Sequence, residues 1–165
     1  MPVDLTVVPA GQLTLARYTS KGLIVPRLRE RDAAGVISEL SQALQHEGCV
    51  PDVLPFYHTA LNHELMTSSA HPCGLALPHG RLSGVKELRF AFGRTCEPVV
   101  WGPKGSSPVQ LVFLLAVPAT DAACYLHLLA SLARLAQQPN TLEALRSASD
   151  SQSVLSILEN IRIRD

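Results

Sequence analysis

The sequence predicts a three-layer α/β fold in one domain spanning residues 1–165. Strand-like apolar segments alternate with stretches whose apolar residues recur every three or four positions, the pattern of helices laid over a sheet. One strand-like segment, Val109–Val117, is apolar nearly throughout, as expected of a central strand covered on both faces. No repeat, low-complexity tract or linker interrupts the 165 residues, a length that builds one substantial core.

The elements follow in order. Leu13 to Val25 is mixed: Leu13 and Leu15 alternate, Ser20-Lys21-Gly22 breaks the chain, and Leu23 to Val25 is apolar again. A short strand or a helical turn fits each piece. Asp32 is placed to cap a helix whose Ala33, Val36, Ile37, Leu40, Ala43 and Leu44 line one face, with Gly48 as its stop. A second helix opens at Pro51 or Asp52 and runs through Val53, Leu54, Tyr57, Ala60 and Leu61 to about Leu65, with Pro55 near its first turn. A polar loop, Thr67–Gly74, leads into the short apolar run Leu75–Leu77. Strand-like segments follow at Leu88–Phe92, Val99–Trp101 and Val109–Val117, the last two joined by a Lys104–Ser107 turn. Ala123–Ala136 is helical, with Cys124, His127, Leu128, Ser131, Leu132 and Leu135 on one side. Pro139 ends it, and a short helix starts at Asn140 or Thr141. Asp150 or Ser151 caps the last helix, with Val154, Leu155, Leu158 and Ile161 inward.

Composition removes several function classes. Apolar residues make up 47% of the chain and charged residues 17%, which argues against disorder. Fourteen basic residues balance fourteen acidic ones, leaving no cationic field for nucleic acid or an anionic membrane. The longest apolar stretch, Gln110–Val117, stops at Pro118, too short for membrane insertion. Met1–Ala10 lacks the charged start and apolar middle of a signal peptide, so a cytoplasmic location is expected. Cys49, Cys73, Cys96 and Cys124 show no Cys-x-x-Cys pairing and are expected as thiols.

Chemistry then rests on histidine. In Leu75-Ala76-Leu77-Pro78-His79-Gly80 the proline presses Leu77 toward extended geometry, and the glycine opens backbone angles closed to other residues. His79 sits between them on a stiff corner at a strand end, where its ring is presented outward as base, ligand or nucleophile, or serves as a turn residue with no chemistry. His46 lies at a helix end and suits a capping or solvated role. His58 and His63, five residues apart on a helix, point about 140° from each other and make no metal pair. His71 and Cys73 offer two soft ligands without the third and fourth that zinc needs, and no acidic residue nearby orients a histidine base for Cys73. No metal site is expected. His127 lies between Leu126 and Leu128 in an apolar helix, either as a core histidine bonded to backbone or as a partner of His79. If that helix packs beside the strand ending at Pro78, one ring can accept a phosphoryl group while the other hydrogen-bonds or neutralises it.

These residues resemble a known family. Leu75-Ala76-Leu77-Pro78-His79-Gly80-Arg81-Leu82 is similar to the Ala-Ile-Pro-His-Gly-like signature of EIIA domains of the bacterial phosphotransferase system, of the mannitol/fructose type and its nitrogen-regulatory relatives. Arg31–Glu47 resembles the family's first long helix, and His63-Glu64 falls where Arg-Glu is usual. Pro108–Pro118 resembles its Pro-Val-x-Leu-Val-Phe-Leu-Leu strand. His127-Leu128-Leu129-Ala130-Ser131-Leu132-Ala133 resembles its His-Leu-x-x-Leu-x-x-Leu-Ala helix. The resemblance covers nearly the whole chain.

It implies a mixed β-sheet flanked by helices on both faces. It also implies that His79 accepts a phosphoryl group from a histidine-phosphorylated carrier protein, with His127 close by. Ser69, Gly74, Arg81 and His63 would contact the phosphate, without metal, nucleotide or other cofactor. The phosphoryl group would pass to an EIIB domain or act as a signal to a regulated kinase or transporter. This sequence departs from the family's Ser-Thr-Gly-Ile-Gly-Asn-Gly loop: it reads Ser68-Ser69-Ala70-His71-Pro72-Cys73-Gly74, and the helix arginine is His63. Two readings follow: a phosphocarrier, favoured in a regulatory, nitrogen-type role, or a non-relaying module that binds a kinase or transporter through the altered site.

Overall fold

The computed structural model describes residues 13–101, 107–120 and 122–163. The expected turn at Lys104–Ser107 lies almost wholly outside them. Two 3-10 turns, Leu15–Tyr18 and Lys21–Leu23, open the described chain and resolve its mixed start. The elements that follow are β1 (Ile24–Leu28), α1 (Ala33–His46), α2 (Val53–Met66), β2 (Leu75–Ala76), β3 (His79–Leu82), β4 (Arg89–Trp101), β5 (Ser107–Pro118), α3 (Ala122–Leu135), α4 (Pro139–Ser147) and α5 (Ser151–Leu158).

The strands form one mixed sheet in the order β1-β4-β5-β2, with β3 also on β5. β4 and β5 are antiparallel, while β1 runs parallel to β4, and β2 and β3 parallel to β5. β2 and β3 form one edge in continuous register, Leu75 opposite Leu111 and His79 opposite Leu115, interrupted at Leu77-Pro78. The other edge is β1.

The apolar run of β5 has a simple cause. Leu111, Phe113, Leu115 and Val117 pack into a core with residues of α3, α4 and α5. Val112, Leu114 and Ala116 pack into a second core with α1 and α2. Successive side chains of a strand point to opposite faces, so a strand sandwiched between helices needs apolar groups at every position.

Helix ends follow the side chains expected of them. Asp32 accepts from the Gly35 amide at 2.6 Å, Asp52 from Leu54 at 3.2 Å and Asp150 from Ser153 at 2.7 Å. Gly48, just beyond α1, takes a φ of 77°. Pro55 is tolerated in the first turn of α2, where backbone N–H groups have no intrahelical partner. Two boundaries differ from expectation. Pro139 opens α4 instead of closing α3, a position for which its fixed φ suits it. The segments Leu88–Phe92 and Val99–Trp101 belong to one strand, β4, whose register against β5 shifts between Arg94 and Val99. Pro98 lies in that irregularity, where a missing donor is tolerated.

α2 reaches the sheet through Phe56, Ala60 and Glu64, all buried and four residues apart. Gly80 of β3 meets this face: a Cβ built there falls 2.8 Å from Phe56 Cε1, in a fully buried ring. Gly80→Ala is therefore expected to destabilise the protein by about 1–3 kcal/mol through overpacking. A denaturation midpoint equal to that of the wild type would contradict the close seating of α2 on β3.

Candidate functional site

His79 is the first residue of β3 and follows Pro78, whose carbonyl accepts from the Leu115 amide at 2.9 Å. The parallel register with β5 puts His79 and Arg81 on the sheet face shared by Leu115 and Val117, the α3–α5 side. Gly80 points the other way, toward Phe56 of α2. Because β3 is an edge strand, the His79 ring is also reachable from α2. His63, near the C-terminal end of that helix, places its ring centroid 4.3 Å from that of His79.

The third ring is tyrosine. Tyr125 of α3 lies 5.5 Å from His79, ring to ring, and its hydroxyl is 3.4 Å from His79 Nε2. Arg81 sits over the Tyr125 ring, with Cζ 5.9 Å from the centroid, within cation–π range. His79 Nδ1 is buried without a partner at hydrogen-bonding geometry, although the Leu77 main chain favours a proton on the ring. Burial holds the His79 imidazole below its ordinary value. The neighbouring His63 and Arg81 push the same way, and the Leu77 backbone and Glu64 oppose them. Burial raises the Tyr125 phenol, with Arg81 opposing.

The loop before the strand is held by a buried carboxyl group. Glu64 of α2 accepts from the Ser69 amide at 2.6 Å, from Ser69 Oγ at 2.7 Å and from Trp101 Nε1 at 3.0 Å. Ser69 Oγ in turn accepts from the Leu77 amide at 2.9 Å. Further along, the Gly74 amide donates to the His71 carbonyl at 2.9 Å. That closes a β-turn with Pro72 at its second position, where a fixed φ is favoured. Gly74 has a φ of 93°, which glycine adopts freely. Arg146 of α4 donates to the Cys73 carbonyl. The departures Ala70, Pro72 and Cys73 thus sit in a loop tied by its own turn and by side chains from elsewhere.

The expected site residues therefore divide. His63 and Arg81 are brought to His79. Ser69 is near in the chain, but its hydroxyl is engaged on both sides, donating to Glu64 and accepting from Leu77. Gly74 is buried in the turn with its amide already donated, so it serves the loop's shape. His127 is a correction: on α3 it is exposed, not inward, and makes no hydrogen bond or ring contact to His79 among the described residues. The missed residue is Tyr125, and a signal for it was present. Moved two residues earlier, the helix pattern is met at Leu126, Leu129, Leu132 and Ala133, with Tyr125 in the histidine position. Glu64 and Trp101 were also missed as structural partners.

Two outcomes test this geometry. Glu64→Ala leaves the Trp101 indole and Ser69 amide without their acceptor and is expected to destabilise by about 3 kcal/mol. The Trp101 fluorescence should shift to the blue, as a buried indole does when its N–H loses an anionic acceptor; an unchanged spectrum and midpoint would contradict the network. The second concerns pH. Folding depresses the pKa of His79, so the unfolded chain binds more protons just below about pH 6.5. Stability should fall as pH drops from about 6.5 through that depressed value, and His79→Gln should lose this part of the acid sensitivity. Urea midpoints of the two proteins across that window decide it; parallel curves would count against the half-buried, neutral ring.

Comparison with known proteins agrees with the geometry. The profile of the family described as phosphoenolpyruvate-dependent sugar phosphotransferase system, EIIA 2, matches residues 17–161. The chain is 31% identical over 158 residues to a nitrogen regulatory protein of Bradyrhizobium diazoefficiens, covering 96% of this chain and 95% of that one. The crystal structure of nitrogen regulatory protein IIA-Ntr from Neisseria meningitidis superimposes with a TM-score of 0.73 at 30% identity, covering 87% of this chain and 98% of that one. The fold is also that of IIA mannitol from Escherichia coli, with a TM-score of 0.72 at 19% identity over 84% of this chain and 97% of that one. The chain belongs to the EIIA type 2 family of the phosphoenolpyruvate-dependent sugar phosphotransferase system.

Proposed function

We propose that His79 accepts a phosphoryl group at Nε2 from a histidine-phosphorylated carrier protein, and that the chain acts as a regulator of the nitrogen type. The observation that carries this is the state of the ring. Nδ1 is buried and Nε2 meets a hydroxyl, so Nε2 is the nitrogen left for an incoming phosphorus. A depressed pKa keeps the ring neutral, and with its one proton on Nδ1 the Nε2 lone pair is available to a phosphorus, as a nucleophile requires. Arg81 and His63 stand beside the ring, and a cation there offsets the charge on the phosphoryl oxygens. Transfer from one imidazole to another needs positioning and charge compensation more than new covalent chemistry.

The regulatory role is supported by relatives whose names are nitrogen regulatory proteins. The partners proposed are the phosphorylated carrier as donor, and an EIIB domain or a regulated kinase or transporter as acceptor or target. A protein surface is consistent with Leu65, Met66 and Leu126, which are 64%, 86% and 57% exposed and flank Glu64 and Tyr125 in the chain. Among the described residues no helix is long and apolar enough to cross a membrane. The engaged Ser69 hydroxyl supports the second reading, a module that binds its target without relaying phosphate.

Incubation with labelled phosphoenolpyruvate, the general phosphotransferase enzyme and its histidine carrier should label the wild type. His79→Ala should take no label. Absence of label with carriers from several sources, together with a stable complex recovered from the native cell, would replace the acceptor reading with the second one.

A further inference from the structure

We propose that the Tyr125 hydroxyl donates a hydrogen bond to the phosphoryl group on His79, taking the role expected of a second histidine. This rests on His79 being the phosphoryl acceptor. Tyr125 is the α3 side chain shown reaching the reactive ring: its hydroxyl is 3.4 Å from Nε2, while His127 is exposed. Before transfer the hydroxyl faces the lone pair of Nε2. During transfer the bond from phosphorus to the donor imidazole breaks, and its electron pair stays on that nitrogen. The Nε2 lone pair forms the new bond, and no proton need move. The hydroxyl, displaced from Nε2 by phosphorus, is left beside the phosphoryl oxygens, to one of which it donates.

Arg81 completes the arrangement. Its guanidinium lies over the Tyr125 ring, so it steadies the ring and adds positive field on the same sheet face as His79. Burial also raises the phenol's pKa, which keeps the donor protonated through the neutral range. The titratable and charged groups acting on His79 are His63 and Glu64 from α2, Arg81 from β3 and Tyr125 from α3. A phenol in place of a second imidazole removes one group that would otherwise titrate near neutrality.

The test is the rate of His79 labelling by the phosphorylated carrier, measured from pH 5.5 to 8.5 in wild type, Tyr125→Phe, Tyr125→His and His127→Ala. Tyr125→Phe keeps the ring under Arg81 and should slow labelling by about ten- to a hundredfold, the loss expected for one hydrogen bond to a charged group. Tyr125→His should recover much of the rate and add a titration near neutral pH absent from the wild type. His127→Ala should behave as wild type. In the unphosphorylated protein the 15Nε2 resonance of His79 should move downfield in Tyr125→Phe, as an unprotonated imidazole nitrogen does when it loses a donor. A labelled wild type with an equally labelled Tyr125→Phe and an unmoved resonance overturns the role of Tyr125 alone. A wild type that takes no label overturns the acceptor reading, and this proposal with it.

Discussion

The geometry around His79 depends on one buried carboxyl group. Glu64 joins α2 to the loop through Ser69 and to β4 through Trp101, and Ser69 passes the connection on to the Leu77 amide at the break in the sheet edge. A carboxyl group this deeply enclosed persists only when its oxygens are met by donors, and three are supplied. The same residue fixes the last turn of α2, on which His63 precedes it by one position. Helix, loop and strand are thereby set by one set of short bonds, and the imidazole at the start of β3 inherits their precision.

Much of this fold was legible because burial imposes periodicity. The apolar run of β5, the three- and four-residue steps of α1 and the aspartates before α1, α2 and α5 all state their role in local sequence. What was not legible depends on contacts far apart in the chain. The length of β4 hides behind Glu97-Pro98, which reads as a break but is an irregularity that the partner strand tolerates. Pro139 carries the same ambiguity, since a proline that forbids one helix also favours the start of the next. Glu64 looks like any surface glutamate until Ser69 and Trp101 enclose it.

The site shows the same division. His79 could be read from its flanking proline and glycine, which are backbone signals. Its neighbour on α3 could not be read by residue type, because the expectation of a histidine selected His127 over Tyr125. The helix pattern, with leucines at 126, 129 and 132, is also met with Tyr125 in the histidine position, and that is the ring the structure puts beside His79. The loop residues Ala70, Pro72 and Cys73 looked like losses. Instead Pro72 opens a β-turn closed on Gly74, so rigidity that a proline supplies stands where glycine freedom is usual. The family's arginine on α2 is His63 here, and the permanent cation acting on His79 comes from its own strand, at Arg81.

The two edges of the sheet bear on how another molecule can approach. Each carries a proline: Pro26 lies within β1, and Pro78 separates β2 from β3. A proline offers no main-chain donor; at Pro78 the missing donor lies on the side facing β5, to which its carbonyl is bonded, while on the outer side the Leu77 amide is already taken by Ser69 Oγ. With the Leu77 amide already engaged by Ser69, the margin where His79 stands offers an added strand one donor fewer, and a visiting protein reads it through side chains and helix ends as well.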